Sequence, residues 1–426
     1  MRLALIFLLA ALSAFSQAAP DLLKDVAGRP ALGVEDFQRL ALAANPTLKE
    51  AEALVKASAA RARQAGLYPN PIIGYQGEQI RGGLFDGGEQ GGFVQQTFPL
   101  GGKLALRRNV YQQQRRADEI GVAEQRYRVA GDVEQSFYAA LAAQQALDVR
   151  KRLLSLAGEA VDTAHKLANV GQADAPDVLQ AEVEAEQAQI DYITAERTFL
   201  ANFYSLAAVA ANPDLPVSPL KGDLAHPPAI DVDRVVDQIV RESPLVKRAE
   251  QEIVRAQADL KSASRESVPD LEIHAGLQQN FEPINLNPRI AVGLQGFVTA
   301  GIDLPIFNRN QGNIAAAQAE RERAQAELAR VRLLVRQQAE LTLQSYLAAH
   351  AEAERYKTHL IPRADRAYQL YLAKYEQMAS AYPQVLITQR TSFQLQLAYV
   401  NALEAEWTNA ILLRNYSLGS SLAAVK

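Results

Sequence analysis

Cysteine is absent from all 426 residues, and with it go disulfides, thiolate metal centres and cysteine nucleophiles. The same absence argues against an acylated N-terminal anchor of the lipoprotein type, which needs a cysteine. A surplus of one charge is also missing: 44 Lys+Arg stand against 48 Asp+Glu, a formal net charge of -4. A protein held to phosphates needs excess Lys and Arg, so no nucleic acid is expected as a partner. With 48% hydrophobic and 22% charged residues, the composition is not that of a disordered tail. Runs of about 18 apolar residues do not occur beyond the N-terminus, so no helical transmembrane segment is expected.

The last scarcity is local. No proline lies between Pro99 and Pro176 or between Pro305 and Pro362, and after Gly312 the next glycine is Gly419. Ala, Leu, Gln, Glu and Arg fill these stretches, and all are strong helix formers. A run of 70 helical residues would reach roughly 100 Å, far beyond an ordinary globular helix. Phe393, Leu397, Val400, Leu403, Trp407 and Ile411 form an apolar stripe spaced by three and four. Such a stripe specifies packing against a partner helix rather than a ligand site.

What is present at the N-terminus reads as a secretory signal over 1–18: Arg2, an apolar run from Leu3 to Leu12, then Ser16 and Ala18 before a cleavage point near Ala19. Export is expected. Past it the chain repeats itself. Asn45-Pro46-x-Leu48-Lys49-x-Ala51-Glu52 returns as Ser243-Pro244-x-Val246-Lys247-x-Ala249-Glu250, an offset of 198 that also relates Pro71 to Pro269. Phe98-Pro99-Leu100 and Leu141-Ala142-Ala143 return at an offset of 206 as Leu304-Pro305-Ile306 and Leu347-Ala348-Ala349, and Pro176 pairs with Pro383 at 207. This predicts a tandem duplication of one unit: helix, two strands, long helix, turn, long helix. The first repeat is placed at 19–220, with a strand hairpin at 72–100 and long helices at 101–170 and 177–211. The second is placed at 221–426, with a strand hairpin at 270–305 and long helices at 312–375 and 384–418.

The strands come from the glycine-rich zones. Leu271, Ile273, Ala275 and Leu277 alternate with Glu272, His274, Gly276 and Gln278. From Ile290 to Leu304, Val292, Leu294, Val298, Ala300, Ile302 and Leu304 share one face, with Gln295, Thr299 and Asp303 on the other. Each run approaches the 9 to 11 residues of a tilted membrane-spanning strand. Arg81 to Gly91, with five glycines, and Asn280 to Arg289, with Pro283 and Pro288, are expected as outward loops. Four strands cannot close a barrel, and lipid does not tolerate an open edge. Three identical chains would supply twelve strands, so a cyclic trimer is the simplest closure. The competing expectation is a soluble protein whose short hairpins pack on helices.

With the duplicated unit, the segment Leu167-Ala-Asn-Val-Gly171-Gln-Ala-Asp-Ala-Pro-Asp177-Val-Leu-Gln-Ala-Glu182 and its counterpart Leu372 to Gln389, nearly the whole mature chain resembles the TolC-like outer-membrane efflux channels. Tyr68-Pro-Asn-Pro71, Pro99-Leu-Gly-Gly-Lys103 and Leu304-Pro-Ile-Phe-Asn-Arg-Asn-Gln-Gly312 resemble the branch serving heavy-metal pumps of the cobalt-zinc-cadmium type. The resemblance implies a mainly α protein with a membrane β-barrel: a homotrimer with a twelve-stranded barrel in the outer membrane and an α-helical tube crossing the periplasm. It also implies a periplasmic adaptor protein and an inner-membrane proton-driven pump as partners. The chain would be a passive duct, not an enzyme, with no cofactor. Family members often carry a lipidated N-terminal cysteine, which this chain lacks, so attachment would rest on the barrel.

Asp174 and Asp177 fall at the expected periplasmic turn, where a three-fold ring of carboxylates would attract cations and narrow an aperture. Asp177 suits an N-cap of the following helix equally well. Gln384 stands at the equivalent place in the second repeat, which puts in doubt an acidic constriction built there, and Arg390 is an alternative aperture residue through pairing with an acidic neighbour. Gly171, Gln172, Met378 and Ala379 are expected at the hairpin tips, either as adaptor contacts or as plain turns. His165, His226, His274, His350 and His359 are scattered without ligand spacing, so no metal site is expected. His274 and Gln278 are expected to face the lumen. Gly82-Gly83 and Gly87-Gly88 lack the context of a phosphate loop, and no nucleophile constellation is present. The remaining alternatives are a duct for drug or polypeptide export and, in another class, a periplasmic coiled-coil adaptor.

Overall fold

A computed structural model of the chain describes residues 28–80, 87–171, 173–286, 289–377, 382–416, 418–419 and 421–422. The segment read as a signal peptide, together with Gln172, Met378 and Ala379, lies outside the described residues.

Each repeat opens with two helices rather than one. Helix α1 (Val34–Ala44) ends where Asn45 turns extended before Pro46, and α2 (Pro46–Ala65) begins there. A residue preceding proline is driven out of the helical region, and proline itself is well suited to a first helical position. The Asn45 side chain then accepts from the Thr47 amide at 2.9 Å. Ser243 and Pro244 repeat the break between α5 (Val235–Glu242) and α6 (Pro244–Arg265).

The breaker-free stretches are helical. Helix α3 (Lys103–Asn169) runs for 67 residues and α4 (Ala175–Val209) for 35. In the second repeat α7 (Gln311–Arg355) is followed by a π-helical turn over Tyr356–Leu360, then α8 (Ile361–Glu376) and α9 (Tyr382–Arg414). The uninterrupted helix expected at 312–375 is therefore broken. Pro362 has no N–H to give and its ring crowds the carbonyl four residues back, so the bonds are lengthened over one turn.

Four strands form one antiparallel sheet in the order β1 (Ile72–Glu78), β2 (Glu89–Phe98), β3 (Leu271–Leu286), β4 (Arg289–Ile302). Strand β2 starts at Glu89, inside the segment from Arg81 to Gly91 expected as a loop. The loop expected over Asn280 to Arg289 is mostly strand: β3 continues through Pro283, with register shifts on either side of it. A residue without an N–H cannot enter a regular ladder and is carried at an irregularity instead. Strands β1 and β4 leave their outer edges unpaired within the chain.

The main core lies where the repeats meet, far from the sheet. Phe37 of α1, Phe137 of α3, Phe203 of α4 and Ile411 of α9 are fully buried there. The stripe expected on α9 enters this core through Val400, Leu403, Trp407 and Ile411. The connection between the repeats is sewn in by polar bonds: the Trp407 Nε1–H donates to the Leu224 carbonyl at 2.8 Å, and Gln144 exchanges two bonds with the Leu220 backbone. Tyr138 stacks on Trp407 with centroids 3.5 Å apart.

Candidate channel wall and periplasmic tip

The strand register divides the sheet into two chemically distinct faces. Ile73, Tyr75, Val94, Leu277, Leu294, Val298 and Ile302 share one face, and Ile73, Leu294 and Val298 are 78%, 70% and 76% exposed. Paired residues point to the same side of an antiparallel sheet, so this face is largely apolar, interrupted by Gln90, Gln96 and Gln279, and its large apolar side chains are exposed. The opposite face carries Gln76, Glu78, Glu89, Gln95, Glu272, His274, Gln278, Asn280, Gln295 and Thr299.

On the polar face, the Glu89 carboxylate accepts from the amides of Gln278 and, at 2.8 Å, Asn280. Asn280 is only 5% exposed and also donates to Gln295. His274 sits edge-on between Phe93 and Phe297, at centroid distances of 4.6 and 5.1 Å, and its Nε2 has no hydrogen-bond partner among the described residues. Each phenyl ring lies over a glycine on the neighbouring strand: Phe93 over Gly74 and Phe297 over Gly276. Both glycines are thus places where a side chain would displace a ring. His274 and Gln278, expected to face the lumen, lie together on the polar face of the sheet.

At the far end of the helices, Gly171 takes a φ of 74° at the turn after α3, a conformation glycine adopts without strain. Asp174, not Asp177, is the N-cap of α4. Asp177 stands at the third helical position: its carboxylate reaches back to accept from the Asp174 amide at 3.2 Å, and its own amide donates to the Asp174 carbonyl at 3.0 Å. The expected Asp177 cap is corrected accordingly. Both carboxylates are exposed, as is Gln384 in the first turn of α9. Arg390 forms no ion pair among the described residues, contrary to the pairing expected for it. It lines a groove with Arg150, Glu184, Asp191 and Gln394, across which Arg150 and Asp191 join α3 to α4 at 2.5 Å. These tip residues come from α4 and α9 and are not brought into contact within one chain.

Two features escaped the reading of the residues. Glu406, with its side chain 3% exposed, is bonded to Nδ1 of His350 at 2.7 Å. Tyr138 stays neutral because burial, then the Glu134 carboxylate, push its phenol up to about 12. The His350–Glu406 pair joins α7 to α9, and no spacing along the chain signals it; Glu134 lies one turn before Tyr138 on α3, but the burial of that phenol is set by the fold. Among the described residues no three His, Asp or Glu side chains are grouped to hold a metal ion, and no helix is long and apolar enough to cross a membrane.

Comparison with known proteins matches this geometry. The chain is 25% identical to the cobalt-zinc-cadmium resistance protein CzcC of Cupriavidus metallidurans over 87% of its length and 86% of the relative's. It is 28% identical to the nickel-cobalt-cadmium resistance protein NccC of Alcaligenes xylosoxydans xylosoxydans, covering 70% of this chain and 65% of that one. Among solved structures, CusC superposes with a TM-score of 0.73 at 17% identity, covering 91% and 92% of the two chains. The outer membrane protein VceC of Vibrio cholerae gives 0.72 at 17% identity, covering 91% and 96%. The profile of one family, described as "Outer membrane efflux protein", matches residues 38–212 and again 235–417, one stretch in each repeat. With both halves of its duplicated architecture matched, the chain belongs to the outer membrane efflux protein family.

Proposed function

We infer that three copies of the chain close a twelve-stranded barrel in the outer membrane of a Gram-negative cell, continued by a helical tube through the periplasm. The assembly is the passive exit duct of a tripartite system that expels heavy-metal cations. The observation that carries the channel is the sheet: one face is exposed and largely apolar, the other polar, and both edges lack a partner strand within the chain. A hydrocarbon environment covers the first face, and only closure on further strands satisfies the edges. The cargo is taken from the relatives, which are named for resistance to cobalt, zinc, cadmium and nickel.

In this reading an inner-membrane proton-driven pump supplies the energy, and a periplasmic adaptor joins it to the hairpin tips. Gly171 and Gln172 after α3, and Met378 and Ala379 before α9, are the proposed adaptor contacts. Asp174, Asp177, Gln384 and Arg390 are the proposed aperture residues, and three-fold repetition of the two aspartates would favour cations at the entrance. His274 and Gln278 line the lumen. The fixed carboxylates and amides of the polar face offer passing cations weak, repeated contacts rather than a tight site, as conduction demands. Deleting the gene tests the cargo. Growth should fail at lower concentrations of zinc, cobalt or cadmium salts, whereas unchanged metal tolerance with new sensitivity to organic drugs would overturn the assignment.

A further inference from the structure

The duplication exists in three dimensions as well as in sequence, and it indicates how one chain meets the next. In the first repeat Arg126 of α3 pairs with Glu52 of α2 at 3.7 Å; in the second, Arg332 of α7 pairs with Glu250 of α6 at 2.8 Å. Arg126 and Arg332 are separated by the same 206 as Leu141 and Leu347, and Glu52 and Glu250 by the same 198 as Asn45 and Ser243. The two offsets therefore name spatially equivalent residues. Buried neighbours agree: Ser58 bonds Asp118 at 2.6 Å between α2 and α3, and the equivalent Ala256 and Ala324 are both buried in α6 and α7.

Within the chain, α3 packs on α6, the helix preceding the neighbouring strand β3. Buried Glu124 of α3 faces Arg248 of α6 at 3.9 Å, and the Gln251 amide donates to Gln113. The equivalent contact for α7 is α2, the helix preceding β1, but among the described residues α7 does not pack on α2 of its own chain as α3 packs on α6. Applying the two offsets turns Glu124 into Arg330 and Arg248 into Glu50. The ion pair survives with its charges exchanged. The Gln113–Gln251 contact becomes Ala319 against Ala53, which lets the helix backbones approach closely. Arg330 and Glu50 are both exposed in the single chain, and among the described residues Arg330 is held by Glu327 alone, one turn away on its own helix.

We propose that α7 of one chain docks on α2 of a second copy, with Arg330 paired to the second copy's Glu50, as the charge-reversed image of the internal Glu124–Arg248 contact. The proposal rests on the trimeric reading above and assigns its interface. The absence of cysteine makes a clean test possible, since introduced thiols are the only ones present. Full-length protein carrying Glu50→Cys and Arg330→Cys is extracted in detergent and treated with a short bismaleimide. Covalent trimers on a denaturing gel are expected, while the control Glu124→Cys with Arg248→Cys links within one chain and adds no mass. Trimers by light scattering whose 50 and 330 thiols stay unlinked, with the control linking, would overturn this interface and leave the trimer standing. A monomer by light scattering would overturn the trimeric reading and the interface with it. Independently, Glu50→Arg and Arg330→Glu should each lower the temperature at which trimers dissociate, and the double reversal should restore it. Failure of the double reversal to restore it counts against the pair.

Discussion

At the start of α4, Asp174 is the N-cap residue and the Asp177 carboxylate takes its backbone amide. Replacing Asp177 with alanine removes that bond and should cost up to about 1 kcal/mol, read as a lower melting temperature of the detergent-extracted protein. A rise in the single-channel conductance of Asp177→Ala in planar bilayers would report a role at the aperture beyond that loss of stability. A purely structural Asp177 would leave conductance unchanged. His350 poses a different test. Its Nδ1 is the one hydrogen-bond partner of the Glu406 side chain among the described residues, and that carboxylate is almost completely buried. His350→Ala should destabilise by about 1 to 3 kcal/mol at neutral pH, while the double change His350→Ala with Glu406→Gln should recover part of the loss. The aspartates could be singled out from Pro176 and the turn around it. His350 could not, because its partner lies on another helix and the sequence holds no trace of their meeting.

At the level of elements, the alternation of β3 was enough to sort its residues onto two faces, since a strand's period of two leaves no freedom once one face is apolar. Its length was not readable in the same way. Pro283 reads as a terminator, yet the strand passes it by shifting register, and whether a proline ends a strand or is absorbed depends on the neighbouring strand. Pro362 shows the same limit in a helix: its position is plain, but the chain's answer, one π turn and then continuation as α8, is decided by the packing of the helices on either side. The paired rings over Gly74 and Gly276 give this scale its prediction. Gly276→Val would force the Phe297 ring off the sheet and set a side chain against the backbone of β2. The trimer should lose resistance to dissociation on heating, whereas Gly301→Ala, at a position with open space, should not change it.

For the whole molecule the decisive facts are the duplication and the unfinished sheet. The duplication was legible because the short proline motifs keep their spacing over the full chain, and the two stretches matched by the family profile fall one in each repeat. The core that joins the repeats was not, since Trp407, Leu224 and Tyr138 come together only through the fold. Protein extracted from membranes should need detergent, run as a trimer and give circular dichroism dominated by helix. A monodisperse monomer in water would contradict the barrel. The free edges of β1 and β4 carry one further consequence, for the life of the chain before assembly. Before assembly, each copy displays two rows of backbone groups along β1 and β4 that are open to pairing with another strand. Maturation and association are therefore a single concentration-dependent event, and defects along either edge will surface as degraded or aggregated protein and lowered abundance rather than as altered transport by correctly built channels.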